Sequence, residues 1–448
     1  MSPDGDQEYF GDGIAEELLN ALAKIPDLQV AARTSAFSFK EQNADVSTIA
    51  EALNVEAVLE GSVRKAGDEL WITVQLVQAD NGFHLWSETY NRPANDVFAV
   101  QDEIAQSIVD ALSVQLTGEV AQAVARKGTT NTEAHNAYLL GWFQWNKRTE
   151  IGLRTAIESF QRAIDLDPLY ADAHSGLADA SSILHTYAFV GPEEVYPRAM
   201  AAAETSVELD DGLAAAHRSL AWMLLLSWDW EGSEREFLRA LELDPDDGFA
   251  HYWYSFVLLA TNRADQALAH VHQAQALDPL SLQVSVGLSD FLYYTGQIDR
   301  AIVEVNQVIE IDPSFTGAYL SLATVLNRVE RYSDALQAVD RYQELSSGGG
   351  YIRVQALFGL VRDAEARRLL QDLQADSKYL DPARWAALHA SLGEADDAFE
   401  WLERGFTSGS WTTTWFVFDP MFDSLRSDPR SADLIRRMGL SEYWPEYQ

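Results

Sequence analysis

Apolar residues recur with the period of an α-helix through the C-terminal two-thirds of this chain. In the stretch Ala214–Pro245, for example, Leu220 and Leu224 stand four positions apart, and Phe237 follows in a second stripe of this kind. Residues with this spacing lie on one face of a helix, and that face must be buried against a neighbour. The pattern therefore predicts a region built of amphipathic helices over residues 134–440.

The helical pattern repeats with a fixed period. A short motif ending in Asp-Pro closes four stretches, at Asp165–Pro168, Glu242–Pro245, Ala276–Pro279 and Glu310–Pro313. The last three prolines are 34 residues apart. Because proline cannot continue a helix and presets the following turn, each motif ends one unit and starts the next. A fixed period of this size is typical of a repeat array in which each unit packs on its neighbours.

Small residues stand at fixed offsets within each unit, where its two helices must approach closely. They are Ala221, Ser233 and Ala240 and, in later units, Ser255, Ala267, Ser289, Ala301, Ala323 and Ala335. Large apolar residues such as Leu258 and Leu292 fill the space between the helices. This exchange of small for large residues at fixed offsets interlocks neighbouring helices.

The period, the small residues and the Asp-Pro endings together resemble the tetratricopeptide repeat (TPR) family, over about two-thirds of the chain. The resemblance implies an all-α superhelical solenoid of helix-turn-helix units. We count seven units over residues 134–440, the second of which carries an insertion at Tyr187–Pro192. The tail, Phe418–Gly439, is expected to form a capping helix that covers the last apolar face.

Residues 1–120 follow a different pattern, and residues 121–133 are expected to be a linker. The predicted elements are a helix through Ile14–Ile25, a short strand at Leu28–Ala32, a helix at Ile49–Leu53, three strands at 57–64, 70–77 and 83–90, and a closing helix at Val97–Leu112. Within the second long strand, Ile72, Val74 and Leu76 alternate with polar residues, as one buried face of an antiparallel meander requires. The overall fold class is therefore α+β: a small α/β domain followed by an all-α solenoid.

Three strings in this part, Phe10–Leu18, Leu59–Arg64 and His84–Glu88, resemble the TolB-like amino-terminal domain. In that family the domain often precedes TPR repeats, and it is commonly joined across one membrane helix to a class III nucleotide cyclase or a winged-helix DNA-binding domain. The family pattern also has an apolar strand just before the turn that Met1–Gly5 resembles. We therefore expect a truncated start and an unpaired sheet edge beside the Leu28–Ala32 strand.

Composition narrows the classes of partner. The net charge is −37, and a field of that sign repels phosphate backbones and anionic membranes, so we expect neither nucleic-acid binding nor direct membrane contact. The longest apolar run, Leu220–Leu226, is seven residues, too short to span a bilayer. As written, the chain is expected in the cytoplasm, or in the periplasm if an upstream membrane segment was lost. The pattern does not specify the oligomeric state.

No motif predicts a catalytic, cofactor-binding or metal-binding residue. Gly11-Asp12-Gly13 resembles a phosphate loop only weakly, because Glu16 stands where the third glycine would be, and we interpret it as a tight helix entry. His270 and His272 are two residues apart and so face different sides of a helix. His217 and His251 occupy equivalent positions of adjacent units, where packing of the rings is expected.

The resemblance implies a partner-binding groove instead. In TPR proteins the first helix of each unit lines a concave surface, and the corresponding positions here hold Arg218, Trp222, Tyr252, Phe256, Asp290 and Tyr293. The alternative for several of these rings is a place in the core. Since these units carry no lysine on that face, an apolar or aromatic segment is expected as ligand rather than an acidic peptide tail.

Three functions stay open at this point. The first is a non-catalytic scaffold that binds a protein or peptide in the groove. The alternative is the sensory or regulatory half of a bacterial class III adenylate cyclase or winged-helix transcriptional regulator whose output domain is absent from this chain. An enzyme with an unrecognised site is the third, and it would need a pocket of convergent titratable groups that the sequence does not suggest.

Overall fold

The computed structural model describes most of the chain. The described residues are 8–23, 25, 28, 30–40, 42, 44–66, 69–93, 97–112, 128–187, 190–346, 349–375 and 381–445. They form a small amino-terminal part around one sheet, followed by a long array of helix pairs. No helix among the described residues is long and apolar enough to cross a membrane.

The amino-terminal part contains four helices and three strands among its described residues. In chain order they are α1 (Glu8–Ala23), α2 (Arg33–Phe37), α3 (Val46–Leu53), β1 (Ala57–Ala66), β2 (Glu69–Gln78), β3 (His84–Pro93) and α4 (Val97–Ala111). The strands form an antiparallel meander in the order β1-β2-β3. The predicted three-strand meander is therefore present.

The sheet buries one face, and the alternating residues of β2 form its centre. Leu70, Ile72 and Val74 are buried together with Ile14 and Leu18 of α1, and with the apolar face of α4. Ile72 pairs with Val63 on one side and Tyr90 on the other. The buried face of β2, formed by every second residue, thus packs on the apolar faces of α1 and α4 in one core.

Two local predictions in this part are wrong. No strand occurs at the described residues of 28–32, where the chain instead runs into α2. Gly11 and Gly13 lie inside α1, not at its entry. Gly13 is needed for packing: a Cβ there would come within 2.5 Å of Leu139, so its absence lets α1 lie close against the first helix of the repeat array. Most of the predicted linker, like the Met1–Gly5 turn, lies outside the described residues.

The described residues from 132 to 408 form sixteen helices in eight pairs, one pair more than the seven units predicted. The pairs are α5 (Thr132–Trp145) with α6 (Glu150–Leu166), α7 (Ala171–Thr186) with α8 (Pro192–Leu209), α9 (Ala214–Leu226) with α10 (Trp230–Leu243), α11 (Gly248–Ala260) with α12 (Ala264–Leu277), α13 (Leu282–Tyr294) with α14 (Ile298–Ile311), α15 (Thr316–Arg328) with α16 (Tyr332–Leu345), α17 (Gly350–Gly359) with α18 (Asp363–Ala375), and α19 (Pro382–Ser391) with α20 (Ala395–Ser408).

Small residues hold the helices of each pair together, as the offsets predict. Ala221, Ser233 and Ala267 are fully buried. The serines also make bonds that alanine cannot: Ser233 Oγ donates to the carbonyl of Ala221 at 2.7 Å, and Ser289 Oγ donates to the opposite helix of its own pair at 2.9 Å. Buried hydroxyls are thereby satisfied at the points of closest approach.

The first helices of successive pairs contact one another more closely than the second helices do. Along most of the array, the first helix of one pair contacts the first helix of the next, as α7 contacts α9 and α15 contacts α17. Among the described residues, no second helix packs comparably on the second helix of the next pair. The first helices therefore form the inner face of the array, a name used below for this surface.

A buried serine provides one of the contacts that anchor the amino-terminal part to the array. Ser35 of α2 donates from both its backbone nitrogen (3.1 Å) and its hydroxyl (2.6 Å) to Asp278 Oδ1, and the Leu280 nitrogen donates to the same hydroxyl at 2.8 Å. Asp278 lies in the turn between α12 and α13 and is buried. Burial raises the pKa of its carboxyl, and the bonds from Ser35 partly offset that rise.

The packing of the fourth pair yields a first prediction. Replacing the fully buried Ala267 by Leu should overpack the contact between α11 and α12 and lower the free energy of unfolding by about 1–3 kcal/mol. Ala269→Leu, on the exposed side of the same helix, is the matched control and should change it little. Denaturant unfolding followed by circular dichroism measures both, and equal effects would show that the small residue is not required at 267.

The serine anchor yields a second prediction. Ser35→Ala leaves the buried Asp278 with fewer donors, so the local opening free energy of α2 should fall by about 1–3 kcal/mol. Hydrogen exchange of the α2 amides measures that energy. Ser47→Ala, at an exposed position of α3, is the control. Unchanged exchange in α2 would mean that the anchor does not hold the two parts together.

Candidate partner-binding groove

The six predicted groove residues lie on three consecutive first helices. Arg218 and Trp222 are in α9, Tyr252 and Phe256 in α11, and Asp290 and Tyr293 in α13. Rings of neighbouring helices contact one another along this surface: the Trp222 and Phe256 ring centroids are 6.1 Å apart, and those of Phe256 and Phe291 are 4.9 Å apart. The inner face here is therefore a continuous aromatic surface.

Most of the six side chains are covered. Arg218, Trp222, Tyr252 and Tyr293 are buried, with 9%, 3%, 9% and 2% of their surface exposed. Phe256 and Asp290 are half-buried. Two kinds of contact cover them, a buried ion cluster at Arg218 and the chain's own C-terminal segment over the rings.

Arg218 is held in an ion cluster that joins three pairs. Its guanidinium donates to Asp247 at 2.6 Å and to Asp179 at 3.2 Å, and Ser219 Oγ donates to Asp179 at 2.6 Å. Burial alone lowers the pKa of Arg218, but the two carboxylates outweigh that effect and raise it, so the guanidinium stays charged. Burial raises the pKa of Asp179, and Arg218 offsets part of the rise. Both hydrogen-bond distances support an ion pair, and Arg218 is already committed to these two acids.

The segment after α20, residues 410–445, is called the tail below. Its described elements are a 3₁₀ helix at Trp411–Thr414, α21 (Trp415–Phe418), a 3₁₀ helix at Pro420–Leu425, and α22 (Pro429–Arg437). The tail packs on the last helix pair, the place expected for a cap. It also reaches back across the inner face of pairs three to five, which the expectation of a terminal cap did not include.

Aromatic rings of the tail lie directly on the predicted groove. The Trp411 ring centroid is 5.7 Å from that of Trp222 and 5.8 Å from that of Phe256. Further along the tail, the Phe418 ring is 5.1 Å from that of Tyr294. Tilted and edge-to-face contacts of this kind are the favourable arrangements for aromatic rings. The inner face therefore holds an aromatic polypeptide segment, and that segment belongs to the same chain.

A carboxylate fixes the tail to α13. Tyr293 donates its hydroxyl to Asp419 Oδ1 at 2.9 Å, and the backbone nitrogen of Met421 donates to the same oxygen at 2.9 Å. Asp419 is buried. Arg426 is near it in the tail and donates to its backbone carbonyl at 3.2 Å. The predicted groove residue Tyr293 is thus a hydrogen-bond donor to the tail.

The end of the tail is fastened to the turns of pairs three and four. The indole nitrogen of Trp230 donates to the Met438 carbonyl at 2.8 Å, and that of Trp444 donates to the Ala260 carbonyl at 2.7 Å. Asn262 adds a bond of 3.0 Å to the Tyr443 carbonyl. These hydrogen bonds do not involve the ring contacts of Trp411 and Phe418.

Two carboxyl groups at this contact have raised pKa values. Burial raises the pKa of Asp290 to about 7, against the lowering effect of the bond from Ser321 Oγ (2.6 Å), and the charge of Asp419 adds to the rise. Burial also raises the pKa of Asp419 to about 6, although the bonds from Met421 and Tyr293 lower it. Both acids are therefore poised to titrate near neutral pH when the tail is in place.

The histidines singled out in the sequence make local contacts. His251 Nε2 lies 3.1 Å from the Pro245 carbonyl, so it carries the hydrogen, and Nδ1 accepts from His270 Nδ1 at 2.8 Å. Their rings are 5.0 Å apart, consistent with the packing role expected of His251. His217 instead bonds Glu236 at 2.7 Å and the Asp211 carbonyl at 2.9 Å. Packing of the His217 ring stays a prediction.

One group of side chains has the composition of a metal site. His389, Glu394 and Asp397 each bring a potential ligand atom within 4.8 Å of the others. However, His389 Nδ1 already lies 2.8 Å from Glu394 Oε2, a hydrogen bond across the turn that follows α19. That bond engages His389 Nδ1 and one carboxylate oxygen of Glu394. The group carries no metal assignment.

The main functional element that the sequence did not reveal is the tail contact. Trp411, Phe418 and Asp419 meet residues more than 120 positions earlier in the chain, and no periodic pattern encodes such a contact. A signal was present in composition: Trp411, Trp415, Phe416, Phe418 and Phe422 stand within twelve residues. So dense a run of rings is too apolar for a segment that only caps the end of an array.

Comparison with known proteins supports the repeat assignment. Among curated proteins, "Putative adenylate cyclase 3" of Rhizobium meliloti (strain 1021) is 33% identical over 233 residues, which are 51% of this chain and 39% of that protein. This chain thus spans about two-fifths of the relative's length.

Two solved structures are partly similar. A thermophilic TPR protein from Thermus thermophilus is 18% identical and covers 43% of this chain and 98% of its own, with a TM-score of 0.38. A tetratricopeptide repeat protein from Parabacteroides merdae ATCC 43184 is 11% identical and covers 60% of this chain and 100% of its own, with a TM-score of 0.41. Nothing about function is inferred from these partial likenesses.

The family model of the tetratricopeptide repeat matches residues 258–326. This stretch runs from the end of α11 to α15, and it includes the register in which the prolines are 34 residues apart. The array of helix pairs in this chain therefore contains tetratricopeptide repeats.

Proposed function

We propose that this chain is a non-catalytic protein-interaction scaffold that holds a protein or peptide segment along its inner face. One observation carries the proposal: the inner face of pairs three to five already accommodates a polypeptide segment through ring contacts and a tyrosine–carboxylate bond. A surface that orders one such segment has the shape and the chemistry to order another. Repeat arrays of this type offer extended surfaces for that purpose.

The chemistry of this surface favours an apolar or aromatic ligand. Large rings supply much contact area at a small cost in side-chain ordering. Arg218 is engaged with two acids, and Asp290 adds a further carboxyl to the face, so an acidic peptide would meet little positive charge. The net charge of −37 likewise disfavours nucleic acid.

Site-specific photocrosslinking in the full chain tests this proposal. A benzophenone side chain placed at Phe256 or Thr324, both half-buried on first helices, should crosslink to the same partner segment, identified by mass spectrometry. Val303, which is 56% exposed on the second helix α14, is the matched control and should give at least tenfold less of that product. Equal yield from Val303, or products with the chain's own tail alone, would contradict a partner site on the inner face.

A second candidate function is the regulatory part of a larger protein with a nucleotide cyclase. The observation that favours it is the 33% identity to the Rhizobium meliloti relative, over a match that covers 39% of that protein. The resemblance of the amino-terminal part to the TolB-like domain points the same way. An open reading frame that continues upstream into a cyclase catalytic domain would support this function, and a separate gene boundary would argue against it.

A further inference from the structure

The part of the tail that lies on the rings is built from very short helices. Trp411–Thr414, Trp415–Phe418 and Pro420–Leu425 contain four, four and six residues. Helices of this length are not stable alone in water. Their order therefore depends on the surfaces they pack on, the last helix pair and the inner face, and this segment differs in that respect from the long helices of the array.

Polar atoms are satisfied poorly at this contact. The indole nitrogens of Trp222, Trp411 and Trp415 and the hydroxyls of Thr413 and Thr414 are buried without a hydrogen-bond partner in the protein. Buried donors left unpaired oppose the docking of the segment that buries them. The ring contacts stabilise the docked segment, whereas its unpaired polar groups oppose docking.

The acids at the contact oppose docking as well. Asp419 enters a site that already contains Asp290, and Asp423 lies close by. The cations that face them are Arg426 of the tail and Arg328 of α15, the latter bonded to Asp423 at 2.8 Å. Two buried carboxyls near each other cannot both ionise without cost. Release of the segment would return Asp419 to water.

We propose that residues 410–425 are an exchangeable occupant of the inner face, which a partner segment of the same chemistry displaces. That chemistry is two or more large rings followed by a carboxylate, as in Trp411, Phe418 and Asp419, with backbone acceptors for the unpaired indoles. The inference rests on the proposed scaffold function and deepens it. Here the tail acts as an autoinhibitory contact, and the bonds of Trp230 and Trp444 retain its end while the rings exchange.

A peptide in trans tests the exchange. A fluorescent peptide with the sequence of residues 410–425 should bind the full-length double variant Trp411→Ala/Phe418→Ala at least tenfold more tightly than the unmodified full chain, because the variant's own segment competes less. Arg436→Ala, an exposed change in α22, is the control and should bind the peptide as the unmodified chain does. Fluorescence anisotropy measures the affinities. Equal binding to the double variant and the unmodified chain overturns the proposal.

Hydrogen exchange of the unmodified chain provides a measurement that needs no variant. The amides of 411–425 should open at least tenfold more often than those at the centres of α9, α11 and α13. Exchange of the segment only together with those helices would overturn the proposal even if the double variant failed to fold. If the segment does not open separately but a partner crosslinks at Phe256 or Thr324, partners bind beside the tail. If the segment opens separately but no partner crosslinks, the tail still exchanges and the scaffold function is wrong.

The acids give the exchange a pH dependence of defined sign. Because the pKa of Asp419 rises to about 6 and that of Asp290 to about 7 with the tail in place, the docked state binds more protons than the released one. Docking is therefore strongest below about pH 4, weakens as pH rises to about 7, and is flat above that. The protection factor of 411–425 should fall at least tenfold between pH 5 and pH 7.5.

Removing one of the acids tests that dependence. Asp419→Asn should remove the part of the fall that this carboxyl contributes and leave the part due to Asp290, since asparagine keeps an acceptor for Tyr293 but does not ionise. Asp433→Asn, in α22 and bonded to Arg436, is the matched control and should keep the full fall. A pH profile that Asp419→Asn leaves unchanged would exclude this carboxyl as the titrating group.

Discussion

The contact between the aromatic inner face and the tail is the constraint on which the architecture of this protein depends. The first helices of pairs three to five carry rings that contact one another and the rings of the tail. An open array would expose this surface to water, which is unfavourable for so large an apolar patch. The tail covers it, and in doing so it joins the last pair to the third, fourth and fifth. The array is therefore closed by its own terminus.

The buried ion cluster complements this contact. Arg218 in α9 bonds Asp179 in α7 and Asp247 at the start of α11, so one side chain links three successive first helices. Removing one member of such a cluster leaves a buried charge unpaired, which is far more costly than the loss of a surface ion pair. The guanidinium also lies 5.6 Å from the Trp253 ring centre, against which Trp222 stacks. The polar cluster and the aromatic surface thus position each other.

Local and periodic features were predictable from the sequence, and contacts distant in the chain were not. Ala221, Ser233 and Ala267 lie where the 34-residue offsets place them, and Ile72 and Val74 lie on the buried face of a meander, because those patterns record packing between near neighbours. The strand predicted at Leu28–Ala32 does not occur among the described residues of that stretch, since a short apolar run does not reveal whether a strand partner exists. The six predicted groove residues lie on first helices, as the repeat register predicts, and their role as a partner-binding groove stays a prediction. What covers them depends on Trp411 and Asp419, far outside that register.

Helix α13 connects the two ends of the chain. The turn before it accepts the anchor from Ser35 of the amino-terminal part, and Tyr293 near its other end binds Asp419 of the tail. The helix is thirteen residues long, about 20 Å at 1.5 Å per residue. The segment on the inner face and the amino-terminal part therefore contact the same helical element at its opposite ends.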